Sequence, residues 1–218
     1  DIYREIQPFA REGKPADYIP ALARVDADRF GICLDTIDGG QYLLGDASER
    51  FSIQSITKVF SLAAALGLEG EALWSRVGRE PSGTAFNSLI QLEVEHGIPR
   101  NPFINAGAIV VADVLMSHYE RCDEAYLDFV RAISGNPTIG YNREVASSER
   151  ATAYLNAAIA NLLKYHGNLH GDIERVLNFY ILQCSVEMSC CDLSRAFKPF
   201  ADHRSPFRYG STSLPSSQ

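Results

Sequence analysis

Phe51-Ser52-Ile53-Gln54-Ser55-Ile56-Thr57-Lys58 opens an apolar stretch in which Ile56, Val59, Phe60, Ala63 and Leu66 recur at helical spacing. The pattern predicts a helix that starts at Ser55, buries this stripe in a core and stops near Gly67. Ser55 and Lys58 are three residues apart, so on that helix they share a face and Lys58 can reach the Ser55 oxygen. A serine hydroxyl is a poor nucleophile at neutral pH and needs a base beside it. The first turn of a helix also points free N–H groups and the positive end of its dipole at the serine. That field, with desolvation, pushes a lysine towards its neutral, proton-accepting form. One turn thus supplies a nucleophile, a base and one oxyanion donor.

The same Ser-x-x-Lys spacing also arises by chance as a capped, solvated helix start. The buried stripe behind it favours chemistry, because serine acyl-transfer enzymes of the penicillin-binding type carry Ser and Lys on the first turn of such a helix.

Upstream, residues 2–10 read as a short amphipathic helix ending near Gly13, and 16–23 as a second, containing Tyr18. Phe30-Gly31-Ile32-Cys33-Leu34 alternates, meets Asp38-Gly39-Gly40 and continues as Gln41-Tyr42-Leu43-Leu44, which predicts a β-hairpin. Downstream, Glu80-Pro81-Ser82-Gly83 and Pro99-Arg100-Asn101-Pro102 are breaks. Helices are expected at 105–119, 123–133, 148–165 and 172–188. From Lys198 the chain loses periodicity, becomes rich in Ser and Pro, and reads as loop or disorder. A lone hairpin is marginally stable in water, so its apolar face needs either a helix cover or further strands.

The chain has 218 residues, 46% hydrophobic and 22% charged, an ordinary globular composition for one large domain or two lobes sharing a core. A net charge of −7 argues against nucleic acid or an anionic membrane surface as the main partner. No apolar run approaches the roughly 20 residues of a membrane span. The opening Asp1-Ile2-Tyr3-Arg4-Glu5 has no signal-peptide character, and the lack of an initial Met suggests numbering from within a longer chain. Five irregularly spaced cysteines (Cys33, Cys122, Cys184, Cys190, Cys191) point to reduced thiols in the cytoplasm. Without a Cys-x-x-Cys pair or a His at ligand spacing, buried apolar cysteine is favoured over a zinc site. The five histidines form no His-Glu-x-x-His pattern, and His166 and His170 flank Gly167 in an expected polar loop.

Other residues could carry chemistry. Asn105 precedes the apolar run Ala106-Gly107-Ala108-Ile109-Val110-Val111-Ala112 and reads as an N-cap, or as an amide held at a helix end facing the nucleophile. Glu149 and Asn156, seven apart on one expected helix, share a face distinct from the stripe Leu155, Ala158, Ile159 and Leu162. That face is solvated, or it holds a ligand's ammonium and carboxylate groups. Tyr180 falls in the stripe Ile173, Val176, Leu177, Tyr180, Ile181 and Cys184, as a core tyrosine or a hydroxyl at a pocket wall. Tyr18 is undecided locally.

Taken together, six ordered segments resemble a known family: residues 13–20 (Gly-Lys-Pro-Ala-Asp-Tyr-Ile-Pro), 54–58 (Gln-Ser-Ile-Thr-Lys), 80–83 (Glu-Pro-Ser-Gly), 101–108 (Asn-Pro-Phe-Ile-Asn-Ala-Gly-Ala), 148–150 (Ser-Glu-Arg) and 178–185 (Asn178-Phe179-Tyr180 with Gln183-Cys184-Ser185). Over residues 2–197 the chain resembles the bacterial serine-dependent glutaminases of the β-lactamase-like superfamily. The resemblance implies an α+β fold, an antiparallel sheet beside a large helical lobe, with 1–50 forming helices plus the hairpin, 51–197 the mainly helical lobe, and 198–218 a divergent tail. It implies hydrolysis of L-glutamine to L-glutamate and ammonia, with Ser55 as nucleophile and Lys58 as its base. Tyr18, Gln54, Ser55, Asn105, Glu149, Asn156 and Tyr180 would contact substrate. It implies no cofactor, no metal, no nucleic-acid or membrane partner, and a homodimer or homotetramer.

The family continues with a further active-site tyrosine, a Lys-Ser-Gly stretch and more strands. None is recognisable here: of the four lysines (Lys14, Lys58, Lys164, Lys198), none precedes Ser-Gly or Thr-Gly. The sheet is therefore expected to be incomplete. The rival expectations are a catalytically inactive fragment that keeps amino-acid binding or an oligomer surface, and a penicillin-recognising serine enzyme.

Overall fold

The computed structural model describes residues 1–202. Helix α1 (Ile2–Ile6) passes into a 3-10 stretch over Gln7–Glu12, where Pro8 cannot donate to an α-helical ladder. The helix expected over 16–23 does not form. The chain bends through Tyr18 and Pro20 and makes only a 3-10 turn at Leu22–Arg24, hung from the Ile19 carbonyl. Pro15 and Pro20 remove the donors that a helix there would need. Buried Ile19 pins the segment instead.

Strands β1 (Gly31–Asp35) and β2 (Gln41–Gly45) pair antiparallel with Gly31 opposite Gly45 and Asp35 opposite Gln41. Gly39, at φ +100°, makes the turn. Strand β3 (Phe51–Ser52) follows, then a 3-10 turn Gln54–Ile56 and helix α2 (Thr57–Glu69). The helix passes through the expected stop at Gly67 and ends at Gly70, whose φ of +55° suits a glycine. Helix α3 (Leu89–Val94) is short and N-capped by Ser88.

Helix α4 (Asn105–His118) is the axis of the molecule. Every residue from Ala106 to Leu115 is buried, so it is apolar all round and surrounded, with α2 packed against it. Helix α5 (Cys122–Ser134) ends on left-handed Gly135. Strand β4 (Gly140–Tyr141) leads into α6 (Arg143–Thr152), capped by Asn142, and α7 (Tyr154–Tyr165). Helix α8 (Ile173–Cys184), capped by Asp172, is followed by strand β5 (Val186–Met188) and helix α9 (Cys190–Ala201). Helices α7 and α8 complete the packing around α4.

The class is α+β, as expected, but the sheets differ from the sequence reading. The helix expected over 172–188 stops at Cys184, where the Ser185 hydroxyl donates to the Leu182 carbonyl. The next three residues form the centre of a second antiparallel sheet in the order β3-β5-β4. Met188 lies opposite Phe51, and Val186 opposite Tyr141. The hairpin is covered by a helix: α9, started by a Ser189–Asp192 capping box, lies on β1, and the Ser194 hydroxyl accepts from the Asp35 N–H at 3.0 Å. Helix α9 runs to Ala201, past Lys198, where the sequence reading expects helix to end; the rest of the expected tail, residues 203–218, lies outside the described residues. Among the described residues, no helix is long and apolar enough to cross a membrane.

Candidate active site

Strand β3 delivers the chain to Ser55. The Ile53 N–H donates to Val186 O at 2.9 Å, tying this end of β3 to β5. Gln54 then takes φ +47°, a left-handed conformation that costs a non-glycine residue about 1–3 kcal/mol. Ser55 therefore sits on a tight 3-10 turn ahead of α2, rather than within its first α-helical turn. The Gln54 side chain turns back and donates to Ser52 Oγ at 3.2 Å. Ser55 is exposed, and among the described residues its hydroxyl has no hydrogen-bond partner.

Lys58, one turn on, is 3% exposed. Its Nζ donates to Phe103 O at 2.9 Å and to Asn105 Oδ1 at 2.8 Å, with the Phe86 ring centroid 5.8 Å away. No hydrogen bond joins it to Ser55 Oγ. Burial lowers the Lys58 pKa, while the Cys184 and Glu149 side chains act against that shift. Burial prevails, so the site favours the neutral amine more than water does.

Asn105 is not the N-cap of α4; Ile104 holds that position without a side-chain cap. The Asn105 backbone N–H donates to Phe86 O at 2.8 Å, which satisfies a donor that a cap would serve. Its side chain is free for the site: Oδ1 accepts from Lys58, and Nδ2 donates to Asn156 Oδ1 at 3.1 Å.

Glu149 and Asn156 are on different helices. The helix expected over 148–165 is broken at Ala153 (φ −78°, ψ 25°), after the Thr152 hydroxyl donates back to the carbonyls of Ser148 and Glu149. Glu149 ends up on α6 and Asn156 on α7. The break still lets both line one small cavity of about 170 Å³, with Tyr18, Asn87, Asn105 and Thr152 in its wall. Ser55 and Gln54 are not part of that wall.

Glu149 is 7% exposed, and its Oε2 has no partner among the described residues. Burial pushes its carboxyl up to about 7, against the pull of Lys58. Lys58 is shifted down and Glu149 up, so for both groups desolvation outweighs their mutual attraction. The pocket thus holds a buried carboxyl short of a counter-charge.

Tyr180, 3% exposed on α8, feels the Cys184 thiol and the Glu149 carboxyl but is not part of the cavity wall. Burial first, then Cys184 and Glu149, raise its pKa, so it stays a neutral hydroxyl. Tyr18 is 68% exposed at the mouth of the cavity; partial burial, then Glu149, raise its pKa.

The sequence reading missed several contributors. Asn87 lines the cavity, and the Phe103 and Phe86 carbonyls hold Lys58 and Asn105. A backbone carbonyl has no side-chain signature. Asn87 offered one weak sign, a polar residue between the Glu80–Gly83 break and the apolar start of α3.

A family model described as Glutaminase matches residues 13–218. A curated glutaminase of Agrobacterium fabrum is 52% identical over 197 residues, covering 89% of this chain and 64% of the relative. The chain thus spans about two thirds of the length of curated relatives it matches. Among solved structures, Mglu "in its tris and glutamate form" superposes with TM-score 0.84 at 33% identity, over 91% of this chain and 44% of that one. A probable glutaminase from Bacillus subtilis complexed with 6-diazo-5-oxo-L-norleucine gives TM-score 0.77 at 33% identity, over 91% and 60%.

Proposed function

This chain belongs to the glutaminase family, and on that basis we propose that its activity is hydrolysis of L-glutamine to L-glutamate and ammonia through a serine acyl-enzyme. The observation that carries the reading is Glu149: a buried carboxyl with an unpartnered oxygen in a small polar cavity. A free α-amino acid supplies the ammonium that such a carboxyl lacks, and binding it draws the carboxyl into its ionised form. A relative of this fold was solved in a glutamate form, which agrees with a site for this class of ligand.

In this reading Glu149 takes the substrate ammonium. The amides of Asn105 and Asn156, with the hydroxyls of Tyr18 and Tyr180 and the Gln54 turn, take the carboxylate and orient the side-chain amide. Neutral Lys58 removes the Ser55 proton as Ser55 Oγ attacks the carboxamide carbon. The backbone N–H of Ser55 steadies the developing oxyanion, a contribution of about 10²–10³ in rate for such a donor. The proton held by Lys58 passes to the departing nitrogen, which leaves as ammonia. Water, deprotonated by the same amine, then releases glutamate.

Five free thiols fit a reducing compartment, and we assign the protein to the cytoplasm. We also assign it a homo-oligomeric state. Ile90 and Val94 on α3 and Tyr154 and Tyr165 on α7 are more than two-thirds exposed on helices that pack together, an apolar surface suited to a second copy.

The test is ammonia release from L-glutamine by the purified chain and by Ser55→Ala. Release by the parent and none by Ser55→Ala is expected. Equal release from both would sink the serine mechanism, and turnover of a penicillin instead of glutamine would sink the substrate.

A further inference from the structure

We propose that Asn156 is a positioning residue for Lys58, setting the direction of its lone pair through the amide of Asn105. The inference builds on the assignment of Lys58 as base.

Protonated Lys58 has donors only, so the group of Asn105 that faces it is the amide oxygen. Nδ2 of Asn105 then points the other way and meets Asn156 Oδ1 at 3.1 Å. The chain of bonds therefore has one polarity, from Lys58 to Asn105 and from Asn105 to Asn156. The second acceptor of Lys58, Phe103 O, is backbone and cannot reverse its role. A neutral amine carries two N–H bonds and one lone pair. With Phe103 O at 2.9 Å and Asn105 Oδ1 at 2.8 Å taking the two N–H bonds, a single tetrahedral direction is left for the lone pair.

The reversible members of this set are the two amides, of which Asn105 touches the amine. Turned over, it would aim Nδ2–H at the amine and donate into the lone pair, occupying the base. Such a flip would bring two amide oxygens face to face unless the Asn156 amide turned as well, so reversal at Asn105 costs either this bond or a second, simultaneous turn. Asn156 is on α7 and Lys58 on α2, which makes the coupling one of tertiary structure.

The experiment follows the titration of Lys58 by NMR in chain labelled with ε-13C lysine, with no substrate present. Four lysines give four signals, and Lys58 is the buried one. In Asn156→Leu the freed amide favours the neutral amine, and the Lys58 midpoint falls by about one pH unit, the size of one charge-assisted hydrogen bond. Asn156→Ala serves as a second variant should Leu perturb folding. In an Asn105→Ala background, Asn156→Leu shifts the midpoint no further. An unchanged midpoint in the Asn156 variants, or an undiminished shift without Asn105, overturns the proposal. Because the readout needs no turnover, it stands apart from a failure to hydrolyse glutamine.

Discussion

The Tyr126 hydroxyl lies 2.5 Å from Thr57 Oγ1, directly under the turn that separates Ser55 from Lys58. It also donates to Thr57 O and accepts from Ser61 Oγ, forming a buried hydroxyl cluster at the start of α2. Tyr126→Phe takes the buried partner from the Thr57 hydroxyl, while Ser61 Oγ keeps Thr57 O, and is expected to cost about 1–3 kcal/mol. Urea denaturation measures it, and an unchanged midpoint would show that the cluster contributes nothing.

Glu149 gives a pH signature. Its folded pKa of about 7 is raised above the ordinary carboxylate value. Its contribution to stability is therefore fully present below the unfolded pKa and is lost as pH rises through about 7, on the order of 3 kcal/mol in total. In the proposed reading ligand binding runs the opposite way, because there the ionised carboxyl is the partner of an ammonium. Glutamine affinity is expected to rise from pH 6 to pH 8, with proton release on binding near pH 7, read by calorimetry in buffers of different ionisation heat. Glu149→Gln should flatten the stability slope and weaken glutamine by about 10²-fold. A variant that binds as tightly as the parent would remove Glu149 from the site.

Asp113 anchors the far side of α4. It accepts from Arg76 at 2.6 Å and from the N–H groups of His170 and Gly171 at 2.9 and 2.7 Å, at 2% side-chain exposure. Asp113→Ala leaves the Arg76 guanidinium bonded to Asn168 but without its counter-charge, and two N–H groups unpaired, for an expected loss of about 3–5 kcal/mol. Its partners share no hydrogen bond with the site residues, so the glutamine KM of the folded variant should stay at the parent value.

Gly107 is a packing constraint on the segment that holds Lys58. A Cβ there would meet Asn101 O at 2.0 Å and Pro102 Cα at 2.9 Å. Gly107→Ala must push the 101–103 segment off α4, and Phe103 O, the acceptor of Lys58, travels with it. Helix propensity alone favours Ala by about 1 kcal/mol. The expected result is a loss of ammonia release much larger than any loss of stability; full activity would show that the segment yields without moving Phe103.

Ile90, 77% exposed on α3, tests self-association. Ile90→Glu is expected to lower the mass in sedimentation equilibrium to that of a smaller assembly. An unchanged mass would place any subunit contact elsewhere.

Local order is written plainly in parts of this chain. The hairpin follows from alternation around Gly39, and the burial of α4 from a run with no polar face except Asp113. The Ser55–Lys58 spacing and the six motifs are likewise properties of sequence. Strands β3 and β4 were not legible, because two residues have no periodicity, and β5 was hidden because Val186-Glu187-Met188 continues the apolar spacing of α8. These strands exist through pairing with one another across more than 40 intervening residues in each case.

By itself, then, the amino-acid order determined the α+β class, the hairpin and the family, and marked candidate side chains for chemistry, since these depend on spacing along one chain. The tertiary structure alone decided how those side chains meet. It set Asn105 on Lys58 and not on its own helix end, drew Glu149 and Asn156 from two helices to one cavity, and turned Ser55 on a left-handed residue ahead of α2. Each of these depends on a partner contributed by a distant segment: Phe86 O at Asn105, Val186 O at Ile53, Tyr126 at Thr57. Hydrogen bonds between residues remote in sequence leave no local pattern, so the site becomes visible only when the core brings those segments together.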